Sequence, residues 1–196
     1  MRGGAAYVAS AARCMPARLL QYRVAMQDLH KLCTKLCREL AQSEHSAVVH
    51  PQREAKRLGD VSPAHALLAI AEHAKELRPR FEALMVKRQP KGMKIGRAVG
   101  EMFSTIRQAI ADRVIDAERS YRGTLLGLRH GIDVARLLRE VALREHDTHL
   151  MRFCDEFLIE RLALIEGAEQ ALAWFAEQPS RAIRSGMRLA LQPASK

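Results

Sequence analysis

Aromatic side chains are scarce: five Phe, three Tyr and one Trp serve a chain of 196 residues. That scarcity argues against a β-rich core, and the abundance of Ala, Leu, Arg and Glu tips the balance toward helix. No window approaches the roughly 18 uncharged apolar residues that a membrane span needs, so no transmembrane helix is expected. The four cysteines, Cys14, Cys33, Cys37 and Cys154, show neither a tight disulfide spacing nor a zinc-knuckle spacing. Such a pattern suits a reducing compartment and a cytoplasmic location. Nucleotide-binding glycine loops, a nucleophile elbow and zinc-protease helix motifs are missing too. Acid is absent from the first 25 residues, where Ala and scattered Arg stand without an apolar signal core. Organelle transit peptides share that composition, and so do upstream extensions such as one ahead of Met26.

What the chain has in excess is basic charge, 32 Lys+Arg against 22 Asp+Glu for a formal +10. The excess is local: residues 1–60 and 61–115 each hold 10 basic and 5 acidic side chains, whereas residues 116–196 hold 12 of each. Its densest part comprises Arg78, Arg80, Lys87, Arg88, Lys91, Lys94 and Arg97 with Glu82 alone between them. These seven are candidates for binding an anion, as nucleic acid or an anionic surface, through counterion release. The plainer alternative is a solvated connector that keeps an Ala/Leu-rich protein in solution.

Apolar side chains recur at helical spacing through most of the chain. Met26, Leu29, Cys33, Leu36, Leu40, Ser43 and Ala47 alternate steps of three and four, and Pro51 is expected to end that helix ahead of a short piece, 52–58. Ser62-Pro63 reads as a helix start. A second stripe follows through Leu67, Ile70, Ala74, Leu77, Phe81 and Leu84, with Pro79 inside it as a source of a kink. Ile95, Val99, Met102, Ile106, Ala109 and Arg113 form a further stripe, then Tyr121, Leu125, Leu128, Ile132 and Ala135. Asp147 caps a last long helix that Pro179 closes. Helices are thus expected over about 24–56, 63–88, 120–146 and 147–177, with a segment over 94–117. The fold class is all-α, a four-helix bundle with an additional helical crossover segment. Around the bundle domain, 24–177, lie a basic N-terminal arm, 1–23, and a basic C-terminal tail, 178–196, that carries Arg181, Arg184, Arg188 and Lys196.

Gly123, Gly127 and Gly131 stack on one helical face, at a combined cost of about 2–3 kcal/mol relative to alanine. Close approach of a neighbouring helix would offset it, which makes them a candidate helix-packing groove; ligand access along the groove is the alternative. His130 and Asp133 border it at i,i+3, a spacing that lets a carboxylate orient an imidazole for base or metal chemistry, unless Asp133 simply pairs with Arg129. Arg161 falls on the apolar seam between Cys154 and Ala168, so it must snorkel out or meet a carboxylate inside the bundle, with Asp133 expected and Glu118 the alternative. His130, Asp133 and Arg161 therefore form a candidate polar seam. Candidate ligands for a divalent metal or iron are His50, Glu54, His73, His130 and Asp133, drawn from different helices; His73 also has Glu76 three residues on. Cys33 and Cys37 share a helix face, with Cys33 on the seam as a small core filler.

Two helical hairpins joined by a long middle connection resemble the ferritin-like superfamily over residues 24–177, at the level of topology. The di-iron members use Glu-x-x-His, which occurs nowhere here; His73 to Glu76 and His130 to Asp133 run in the reverse order, so no ligand set carries over. The expected function is a non-enzymatic interaction or self-association module with a protein partner or a second copy of the chain. The alternatives are a ferritin-like metal-binding bundle and an electrostatic binder of nucleic acid or an anionic surface.

Overall fold

A computed structural model describes residues 17–88 and 115–184, with side chains from Arg23 onward except that of Lys87. Four long helices account for most of it: α1 (Ala17–Leu58), α2 (Ser62–Arg88), α3 (Ala117–Arg144) and α4 (Thr148–Gln170). Two short helices follow, α5 (Ala173–Glu177) and α6 (Pro179–Ala182). Among the described residues there is no β-strand, so the chain is an all-α bundle. No described helix is long and apolar enough to cross a membrane. The Ile95–Ala109 stripe lies outside the described residues.

Each of α1 and α4 packs on both α2 and α3. Cross-helix contacts fix the directions. His30 meets Glu145 while Ser120 meets Glu54, so α1 and α3 run antiparallel. Phe81 stacks on Phe153 and His73 reaches Glu160, so α2 and α4 do too. Arg88 and Ala117 consequently sit at opposite ends of the bundle.

Local chemistry explains the two tight turns. Gly59 adopts φ 80° and stops α1, and the Val61 carbonyl accepts from the amides of Ala64 and His65 to start α2. At the other end His146 takes φ 57° after α3, and the Asp147 amide donates back to the Ala142 carbonyl at 2.9 Å. Asp147 then caps α4 by accepting from the Leu150 amide at 2.9 Å. Asp116 holds the N-cap position of α3 with no side-chain cap bond.

Two boundaries differ from the sequence expectation. Pro51 does not end α1, which runs seven residues further to Leu58. The proline is itself buried, and Ala47, Ala55 and Leu58 extend the apolar stripe past it. That burial offsets the roughly 3 kcal/mol of a mid-helix proline. The last long helix breaks after Gln170, and α5 and α6 fold over the bundle end. Phe175 packs on Tyr121 at 5.2 Å, Ala182 is buried, and the Ala117 amide donates to the Arg184 carbonyl at 3.1 Å. Order therefore continues into residues 178–184, past the expected end of the bundle at 177. Pro79, by contrast, is exposed, and α2 continues through it to Arg88.

The core divides into two apolar clusters along the bundle axis. One surrounds the α1–α2 turn and is rich in alanine: Ala47, Ala55, Ala64, Ala74, Ala117, Ala168 and Ala182, with Leu67, Ile70, Tyr121 and Ile165. The other surrounds the α3–α4 turn and holds Phe81, Phe153, Phe157, Leu40, Leu138, Leu150 and all three described cysteines. Between them lies a polar layer.

Candidate functional site

That layer is a chain of four side chains from three helices. Arg161 of α4 is 1% exposed, Glu44 of α1 3% and His73 of α2 8%. Arg161 Nη2 donates to Glu44 Oε2 at 2.7 Å, and its Nε donates to His73 Nδ1 at 3.1 Å. Guanidinium nitrogens only donate, so His73 Nδ1 is an acceptor and Nε2–H donates to Glu160 Oε2 at 2.8 Å. The guanidinium carbon also stands 5.0 Å from the Phe157 ring centroid. Burial pushes the Glu44 carboxyl above its ordinary value despite the Arg161 charge, and its Oε1 has no hydrogen-bond partner among the described residues. Burial and then the Arg161 cation hold His73 below its ordinary value, against the opposing pull of Glu160 and Glu76. The imidazole is accordingly neutral, a spacer that passes the arginine's hydrogen bond to a half-exposed carboxylate.

Arg161 is buried, as its seam position requires, but Asp133 is not its partner. Asp133 is exposed and pairs with Arg136, while Glu118 pairs with Arg122. The residue that sequence reasoning missed is Glu44. The apolar steps of α1 run Leu36, Leu40, Ala47, and both Ser43 and Glu44 fall in the gap. Taking Ser43 as the seam residue turned the helix by one position. A carboxylate four residues after a buried leucine was the available signal.

The candidate metal ligands do not converge. His130 Nε2 lies 3.2 Å from Glu39, Asp133 pairs with Arg136, and His73 belongs to the central layer. Glu54 accepts from Arg57 at 2.9 Å and from Ser120 at 2.7 Å near the α1–α2 turn. His50 lines the groove described below. Among the described residues, no group of three or more His, Cys, Asp or Glu side chains is placed to hold a metal ion.

The basic stretch is spread out. Arg78 pairs with Glu82 on α2, Arg80 reaches Glu156 of α4, and Arg88 is held by Glu145 and Asp147. Lys87 closes α2 beside Arg88, and Lys91, Lys94 and Arg97 lie outside the described residues.

The three glycines divide. A Cβ on Gly131 would collide with Ser43 Oγ, so there α1 and α3 approach as closely as a packing glycine requires. Around Gly123 and Gly127 a Cβ would meet nothing within 4 Å among the described residues. Both exposed glycines help line an open groove of about 1370 Å³. The groove runs along α1 from His30 to Pro51, roughly 30 Å at 1.5 Å per residue. Its lining includes Lys31, Lys35, Arg38, Arg119 and three histidines, with Glu39 the one acid among the described lining residues. Ala47, Pro51 and Leu128 supply apolar floor. Among the described lining residues there is no Phe, Tyr or Trp.

This combination defines a helical bundle with a charged internal layer and an open basic side groove. Compared with protein-family models, curated proteins and solved structures, the chain matches none.

Proposed function

We propose that the protein is a non-enzymatic interaction module whose working surface is the groove between α1 and α3, and that its partner presents an acidic amphipathic helix. The observation that carries this reading is the groove itself: long enough for about 20 helical residues, apolar at the floor, basic at the walls and lowered by two glycines. Among the described residues Lys35, Arg38 and Arg119 make no ion pair, so their charge is available to a ligand. Without aromatic rings among its described lining residues the groove offers no stacking platform of the kind that single-stranded nucleic acid uses, which favours a peptide.

A fluorescently labelled, synthetic Glu/Leu amphipathic peptide of about 20 residues tests this by polarisation. Binding to the wild-type chain should be lost in Gly127→Leu, which fills the groove, and should weaken in Lys35→Glu/Arg119→Glu and with added salt. Absent binding, or binding indifferent to Gly127→Leu, would count against the reading. Preference for an oligonucleotide in the same assay would move the assignment to nucleic acid. Concentration-dependent dimerisation abolished by Gly127→Leu would make the partner a second copy. Peptide binding that emerges only after residues 93–112 are replaced by a Gly/Ser linker would assign the groove to the protein's own chain, whose described ends Arg88 and Ile115 both line it.

A further inference from the structure

Charge is unevenly shared among the four long helices. α1, α2 and α3 each hold more Lys and Arg than Asp and Glu. α4 reverses the balance, with Asp155, Glu156, Glu160, Glu166 and Glu169 against Arg152 and Arg161. Arg161 is buried in the polar layer and offsets nothing at the surface. Asp155, Glu156 and Glu169 are cancelled by Arg139, Arg80 and Arg129 of the neighbouring helices. Glu160 accepts from the neutral His73 imidazole, and Glu166 has no ion pair among the described residues, so both keep their charge. Beside them Ile159, 73% exposed, and Leu162, 40% exposed, share one outward stripe with Ala163 and Gly167. A Cβ on Gly167 would meet nothing within 4 Å among the described residues. The outer side of α4 is thus an acidic helical face with an apolar centre.

We propose that the outer face of α4 in one copy of the chain occupies the α1–α3 groove of the next, so that the protein assembles head to tail. This rests on the groove being a helix-binding surface, as proposed above, and names the helix it takes. Charge matches: Lys35, Arg38 and Arg119 in the groove lack an acidic partner among the described residues, as Glu160 and Glu166 on the face lack a cation. Surface matches: the groove floor of Ala47, Pro51 and Leu128 meets Ile159 and Leu162. Relief matches, because Gly123 and Gly127 lower the groove while Ala163 and Gly167 keep the helix face flat. Length matches as well, since the 23 residues of α4 extend about 34 Å at 1.5 Å per residue, against roughly 30 Å for the groove. A chain cannot fill its own groove in this way. Its α4 packs on α2 and α3 and meets α1 across the core, through Arg161 and Glu44, so the acidic face points away. Two different surfaces in contact make a heterologous interface, which leaves one groove and one face free at the ends of any open row of copies.

Complementation between two variants tests the assembly by analytical ultracentrifugation. The mass of the wild-type chain should rise with concentration above that of one copy, and less steeply in added salt. Ile159→Lys/Glu166→Lys spoils the face and spares the groove; Gly127→Leu fills the groove and spares the face. Each alone should stay monomeric, and an equal mixture should form a dimer and nothing larger, because one intact groove meets one intact face. Should Gly127→Leu fail to fold, Lys35→Ala/Arg38→Ala/Arg119→Ala, three exposed positions, takes its place. A wild-type chain monomeric up to about 1 mM, association that survives in either variant alone, or a mixture that stays monomeric would each overturn the proposal. The Glu/Leu peptide separates this failure from that of the groove itself. Peptide uptake by a chain that stays monomeric removes the second copy and keeps the groove, whereas loss of both removes both.

Discussion

The two halves of the core are built from different materials. Around the α1–α2 turn alanine is the commonest buried residue, interleaved with leucine, isoleucine, Tyr121 and Phe175. Around the α3–α4 turn three phenylalanines and three thiols join leucine and valine, with Phe81 on Phe153 at 5.0 Å and Phe153 on Phe157 at 6.4 Å. Small residues leave nothing to delete and no room to add; rings leave much to delete. The same bundle is therefore intolerant of enlargement at one end and of truncation at the other, and the Glu44–Arg161–His73 layer marks the border.

The border should be the most sensitive place. Arg161→Met strands the Glu44 carboxylate among apolar neighbours and should cost about 3–5 kcal/mol in urea unfolding. Glu44→Leu/Arg161→Met, which removes both charges, should recover most of that loss. If the double variant is as unstable as the single, the layer contributes by shape and not by charge.

Next come the halves themselves. Leu138→Ala, in the ring-rich half, should lose about 2–5 kcal/mol, whereas Ala168→Leu, in the alanine half, should lose about 1–3 kcal/mol by overpacking. Tolerance of Ala168→Leu would show the alanine half to be loosely packed, and the contrast would fail.

Acid should act on the border with opposing signs. His73 is held below its ordinary 6.5, so the unfolded chain takes up a proton first and stability falls as the pH drops through about 6.5. Glu44 is held above its ordinary 4.5, so there the folded chain takes up the proton first, a gain present at low pH and lost as pH rises through the folded value. Unfolding midpoints measured between about pH 7.5 and 5.5 should fall for the wild type and flatten in His73→Gln. An unchanged slope in His73→Gln would assign the acid sensitivity elsewhere.

The smallest effects belong to the glycines. Gly123→Ala and Gly127→Ala each gain helix propensity into open space and should raise stability by about 0.5–1 kcal/mol. Gly131→Ala should lower it, with Ser43→Ala/Gly131→Ala relieving the collision. Thermal melts of the four variants separate the open stretch of α1 and α3 from the closed one.

These contrasts also show where sequence reading succeeds. Proline and capping residues act within a few positions, so the Ser62-Pro63 start and the Asp147 cap were legible. Pro51 was not, because the burial that carries α1 through it comes from other helices. The three equally spaced glycines look identical in sequence. Whether a missing Cβ is filled depends on the distance to α1, which spacing does not encode. Arg161 announced itself as a charge on an apolar seam, yet its partner lies 117 positions away on α1, and a one-residue error in helix rotation hid it.

The bond from the Ala117 amide to the Arg184 carbonyl has a bearing on biosynthesis. Both hairpins are local in sequence and can form as each emerges, N-terminal hairpin first. The alanine-rich end, however, is finished by Phe175, Ala182 and the clasp at residue 184, which leave the ribosome after both hairpins. Until then the first turn of α3 lacks its acceptor and Tyr121 lacks its ring neighbour. The nascent bundle closes like a purse, with its drawstring in the final residues of the described chain.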